Sequence, residues 1–126
     1  MIKRKKAFLI SMTMALILNF SIIAFAKSVS IVPVSYSDIG TTYTFGTAVI
    51  PDENGATLYV RTRPTTTTSA KLRIRRDGST LAEGTFPYQT QAPYISAAMK
   101  KGKTHTVQVR AVSGKVSGQI SGYYSY

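Results

Sequence analysis

Residues 103–112, Lys-Thr-His-Thr-Val-Gln-Val-Arg-Ala-Val, alternate in character along their whole length. His105, Val107, Val109 and Ala111 fall on one side, and Thr104, Thr106, Gln108 and Arg110 on the other. A period of two in a β-branched run is the pattern of a strand with one face in a core and one in water. Gly102 opens the run and Ser113-Gly114 closes it with turn chemistry.

The rest of the chain after residue 26 reads the same way. Residues 29–34 alternate weakly, and Pro33 marks an edge strand. Asp38-Ile39-Gly40 reads as a turn. Residues 42–50 place Tyr43, Phe45, Thr47 and Val49 on one face. An Asn54-Gly55 turn leads into residues 57–63, where Leu58, Val60 and Thr62 alternate with Tyr59, Arg61 and Arg63. A threonine-rich loop at 64–69 reads as a plain connector. Residues 71–76 set Leu72 and Ile74 inward and Lys71, Arg73 and Arg75 outward. Asp77-Gly78 predicts a type I′ hairpin into residues 79–85, with Ile74 opposite Leu81. Residues 94–99 and 116–126 supply two more strands, the last with Val116, Gly118, Ile120, Gly122, Tyr124 and Tyr126 on one face and expected to close the sheet. Seven or eight strands in one domain of 100 residues, 27–126, predict an all-β antiparallel sandwich.

Residues 1–26 read as an export signal. Lys3, Arg4, Lys5 and Lys6 precede an uncharged apolar run, and Ala24-Phe25-Ala26 is an A-x-A cleavage pattern that leaves Lys27 first in the mature chain. The expectation is a secreted protein that meets a membrane only during export. The alternative is an uncleaved N-terminal anchor. Beyond Ala26 twelve basic residues face five acids, a net +7. That excess favours an anionic wall polymer or protein partner; nucleic acid is not expected. The chain has no cysteine, which removes disulfides, thiolate catalysis and cysteine-bound zinc.

Residues 93–117 resemble the end of a fibronectin type III or similar immunoglobulin-like module: basic residues and a glycine (Lys100, Lys101, Gly102), then alternating Val107-Gln108-Val109-Arg110-Ala111, a short turn and Ser117. The resemblance implies an immunoglobulin-like sandwich used for adhesion, spacing or binding. His105 stands where that family carries a corner tyrosine. The family's buried tryptophan has no counterpart, and Phe45 or Tyr43 would have to fill its volume.

Catalytic groups are sparse. His105 is the only histidine and lies on the core face of its strand. Asp38, Asp52, Glu53, Asp77 and Glu83 sit at turns or singly, without a spaced metal-ligand motif, a phosphate loop or a nucleophile elbow. A non-enzymatic protein without cofactor or metal is expected. If residues 57–63 pair with residues 71–76, then Arg61, Arg63, Lys71, Arg73 and Arg75 form one basic patch beside Tyr59. Arginine's planar fork suits phosphate and carboxylate, so the patch is the candidate binding surface. A solvated face that resists edge aggregation is the plainer reading. A secreted cationic antibacterial polypeptide is the alternative function.

Overall fold

The structure, a computed structural model, describes residues 27–90 and 92–126. The expected export signal, with Ala24 and Ala26 before the cut, lies outside the described residues. Eight strands follow: β1 (Ser28–Ile39), β2 (Thr44–Val49), β3 (Thr57–Pro64), β4 (Ala70–Arg76), β5 (Ser79–Phe86), β6 (Ile95–Ala98), β7 (His105–Ala111) and β8 (Val116–Ser125). They form two four-stranded antiparallel sheets, ordered β1-β8-β3-β6 and β2-β7-β4-β5.

Alternation decides what lies between the sheets. On β7, His105, Val107, Val109 and Ala111 are buried, and the residues between them are not. Leu58, Val60 and Thr62 of β3 meet the same condition, as do Ala70, Leu72 and Ile74 of β4. Ile120, Val116 and Phe86 complete the core. Each buried Val, Leu, Ile or Phe contributes about 1.5–3 kcal/mol relative to exposure. Gly122 lets β8 lie close on β3, since an added methyl would collide with the Tyr59 carbonyl oxygen.

The sandwich is as expected, but its winding is not that of an immunoglobulin domain, where the last two strands share a sheet. Here β7 and β8 lie in different sheets. β1 pairs with β8, β2 with β7, β3 with β6 and β4 with β5. Such nested pairs arise when one long hairpin rolls up about its tip, which is a jelly-roll winding. The tip is the expected type I′ turn, with Asp77 at φ 50° and Gly78 at φ 78°.

Other expectations need correcting. Bulges explain two of them, because one extra residue reverses which side chains face inward. In β2 the register slips between Phe45 and Thr47. Gly46 takes up the slip against Ile120, and Phe45 turns outward, 61% exposed, while Val49 stays buried. Neither Phe45 nor Tyr43 therefore fills the core; Phe86 and Tyr36 supply its large rings. In the β4–β5 hairpin the slip at Ile74/Arg75 leaves Ile74 opposite Ala82 rather than Leu81, and brings Glu83 opposite Arg73. Residues 38 and 39 belong to a bulged end of β1, with Asp38 at φ 52°, and the turn follows at Gly40. β8 is no closing edge, since it is held between β1 and β3.

Two polar groups are buried within this core. The Tyr36 hydroxyl donates to Thr62 Oγ1 (2.7 Å), which donates to the Gln119 carbonyl (2.8 Å). Burial, offset in part by that hydrogen bond to Thr62, holds the Tyr36 hydroxyl above the ordinary tyrosine range. His105 Nε2 accepts from the Lys100 backbone N–H (3.2 Å), which places the ring proton on Nδ1. Arg76 Nη1 lies 3.3 Å from the same nitrogen. Burial first, and then the Arg76 charge, push this histidine below its ordinary pKa. Its role is to tie the turn before β7 to the sheet.

Candidate functional site

The five cations expected together stand on opposite sides of the molecule. β3 and β4 belong to different sheets, so they cannot pair. The threonine-rich loop between them carries the chain across the sandwich. Its crossing is held by Thr65 N–H to the Ser117 carbonyl (2.9 Å), Thr68 Oγ1 to the Ser113 carbonyl (2.9 Å) and Ser117 N–H to Thr66 Oγ1 (3.1 Å). Lys71, Arg73 and Arg75 therefore face outward from one sheet, while Tyr59, Arg61 and Arg63 face outward from the other.

On the first face β7 adds a cation. Arg110 is opposite Lys71, Gln108 opposite Arg73 and Thr106 opposite Arg75. Lys71, Arg73, Arg75 and Arg110 thus share two adjacent inner strands. Glu83 on β5 is the acid among them: Lys71 Nζ is 3.7 Å from its carboxylate, and the Tyr43 hydroxyl donates to it at 2.7 Å. That hydrogen bond first, then the charges of Lys71, Arg110 and Arg73, hold its carboxyl below the usual range. Burial and the same bond to Glu83 raise the Tyr43 hydroxyl. Tyr43 also organises the cations, with Arg73 3.9 Å and Arg110 5.3 Å from its ring centroid. Arg73 Nε donates to Gln108 Oε1 (2.6 Å), and Arg75 Nη2 donates to the Gly78 carbonyl. Four cations against one acid leave this face at net +3, with its guanidinium groups held in place.

The second face is aromatic. Tyr59 and Tyr123 are register partners on β3 and β8, stacked with centroids 4.9 Å apart at 20°. Tyr94 stands edge-on to both, at 6.5 and 5.4 Å. The Arg61 guanidinium lies 4.3 Å from the Tyr94 centroid. Arg63 projects beside Gln119 and is exposed.

Sequence reasoning missed Arg110, Gln108 and Tyr43 on the first face, and Tyr94 and Tyr123 on the second. The outward parity of β7 signals Arg110 and Gln108. Tyr43 carries no such signal, because the Gly46 bulge breaks the periodicity of β2. The acids elsewhere are engaged separately: Asp52 accepts from the Tyr126 hydroxyl (3.0 Å), Glu53 meets Lys27 (3.8 Å) and Asp77 meets Lys103 (3.7 Å). Among the described residues no three metal-ligating side chains gather.

No protein-family model matches this chain, and no curated protein does. Among solved structures, a chain of Bacillus endospore appendages, described as a novel family of disulfide-linked pili, shares the fold with a TM-score of 0.55. The two are 11% identical, and the likeness covers 81% of this chain and 88% of that one. The fold places this protein among antiparallel β-sandwiches that include a bacterial surface-appendage protein.

Proposed function

We propose that this chain is an exported, non-enzymatic module that works outside the cell and holds an anionic envelope polymer on the face formed by β4 and β7. The observation that carries the reading is the set Lys71, Arg73, Arg75 and Arg110 around a single acid, Glu83. Arginines already braced by Tyr43 and Gln108 lose little freedom when they meet phosphate or carboxylate, so less of the binding energy is spent on ordering them. The likeness to an appendage protein and the export-like N-terminal pattern favour an extracellular setting.

The test replaces the four cations with glutamine and measures retention on purified cell walls rich in phosphate polymer, across salt concentration. Native retention is expected to weaken with salt, and the variant to lose about tenfold or more at low salt. Retention that is unchanged and salt-insensitive would overturn the reading. Growth inhibition of neighbouring bacteria, lost in the same variant, would instead favour the antagonistic alternative.

A second reading, assembly of copies into a surface fibre, is favoured by one feature. Where β1 and β2 border each other, the exposed apolar side chains of Val32 (80% exposed) and Ile50 line a groove with Ile31, Val34 and Tyr124. The sequence has no cysteine, so this assembly would lack disulfide links. Light scattering of the chain and its Val32→Asp variant tests it: concentration-dependent growth in the native chain alone supports assembly, and monomers throughout oppose it.

A further inference from the structure

We propose that the tyrosine face is a second binding site, separate from the basic face, and that its ligand is an acidic polysaccharide built from uronic-acid sugars. The site is an open trough of about 460 Å³ on the sheet β1-β8-β3-β6, walled by Tyr123, Tyr94 and Arg61 and flanked by Ser28, Ser30 and Ser121. That volume lies within the range of about 300–1,000 Å³ usual for ligand sites.

Register explains its shape. Across the sheet, Ser30 of β1 is opposite Tyr123 of β8, which is opposite Tyr59 of β3. Tyr59 covers one face of the Tyr123 ring. The other face is turned towards β1, where Ser28 and Ser30 border the trough together with Ile31 and Pro33. A flat apolar surface bordered by hydroxyls matches a sugar ring, which has C–H groups on its faces and hydroxyls around its rim. Tyr94, edge-on to Tyr123, closes one end of the trough and holds the Arg61 guanidinium against its own ring. Among the described residues no aspartate or glutamate lines the trough, and Arg61 gives it positive charge. A planar guanidinium pairs well with a carboxylate. Charge complementarity thus selects an acidic sugar over a neutral one, and the trough's openness along the sheet suits a chain rather than a capped monosaccharide. The tyrosines also brace the fold, but cross-strand stacking needs only Tyr59 and Tyr123. It does not account for Tyr94, Arg61 and the serine border meeting at one trough.

The experiment uses the full chain and two probes, tetragalacturonate and a neutral galactose tetramer, with binding followed by calorimetry and backbone amide NMR. Tetragalacturonate is expected to bind, shifting the amides of Ser30, Ser121 and Tyr123, and to bind several-fold tighter than the neutral probe. Tyr123→Leu, which keeps a strand-compatible apolar residue, is expected to weaken binding about tenfold or more, and Arg61→Gln to remove the preference for the acidic probe. The fourfold glutamine variant of the basic face is expected to bind as the native chain does. The proposal is overturned if neither probe binds, if the shifted amides map to β4 and β7, or if binding disappears in the basic-face variant. Because the mapping is done on the native chain, a Tyr123→Leu variant that failed to fold would leave the test intact. Loss of wall retention with retained sugar binding would sink only the basic-face reading.

Discussion

On one side of the core, Lys71, Arg73, Arg75 and Arg110 stand outward from β4 and β7 and are ordered by one tyrosine and one carboxylate. On the other side, Tyr59, Tyr94 and Tyr123 stand outward from the opposite sheet and are ordered by stacking, with one arginine laid on them. Both faces sit on strands of the same geometry, over inner faces of similar Val, Leu, Ile and Ala content. The contrast shows where freedom lies. Inward positions must exclude water and leave little choice. Outward positions change stability by only tenths of a kcal/mol in most cases, up to about 1 for a cross-strand pair, so each sheet can carry a different chemistry on the same support.

If that support is shared, damage to it should strike both faces. Phe86→Ala, at 1% exposure in the core, is expected to cost about 3–5 kcal/mol and to weaken wall retention and sugar binding together, as read by a denaturant melt and both assays. Survival of one activity in a partly unfolded chain would break the comparison, because the two sheets would then stand separately.

A change aimed at one sheet should separate them. Gly122→Ala puts a methyl against the Tyr59 carbonyl oxygen and Val60, and about 1–3 kcal/mol is expected from forcing β8 away from β3. The loss should register first in the Tyr59–Tyr123 stack, seen by tyrosine ring NMR, while the basic face holds. Gly40→Ala, where nothing lies within 4 Å of the added carbon, is the control and should leave the melt nearly unchanged.

Acid should act through β7. The folded pKa of His105 lies below its unfolded value, so the unfolded chain binds more protons in the window between them. Stability contributed by the neutral ring is full above about pH 6.5 and falls as pH drops through that value towards the folded pKa. Charging the ring also brings repulsion from Arg76. His105→Gln should flatten this part of the stability profile, measured by melts from about pH 8 to 5. The smallest effect is expected from Glu83→Gln. Its exposed pairing with Lys71 is worth about 0–1 kcal/mol, yet removing the acid should move salt-dependent wall retention to higher salt.

Much of the architecture was legible because alternation is a local property. β3, β4 and β7 could be read residue by residue, since each keeps strict parity between its turns. Parity failed where a bulge intervened. Gly46 in β2 and Leu81 in β5 are the extra residues that change phase within their strands, and neither is marked by residue type alone. Sheet membership was not legible, because it depends on which distant strand offers a matching edge. The nearness of β3 and β4 in sequence suggested pairing, whereas the loop between them passes over the surface from one sheet to the other. The candidate site inherited that limit: Lys71, Arg73 and Arg75 were found, Arg110 was overlooked, and Arg61 and Arg63 were placed with the wrong neighbours.

The position of β8 has a consequence for how the molecule is made. A ribosome delivers β1 and β3 long before residues 116–125, yet the two share no hydrogen-bonded partner strand until those residues arrive between them. The sheet β1-β8-β3-β6 therefore stays in two parts, β1 alone and β3 with β6, until residues 116–125 have been made, and most of its pairing spans long sequence separations, which slows folding further. Removing residues 116–125 would therefore split a sheet rather than trim an edge.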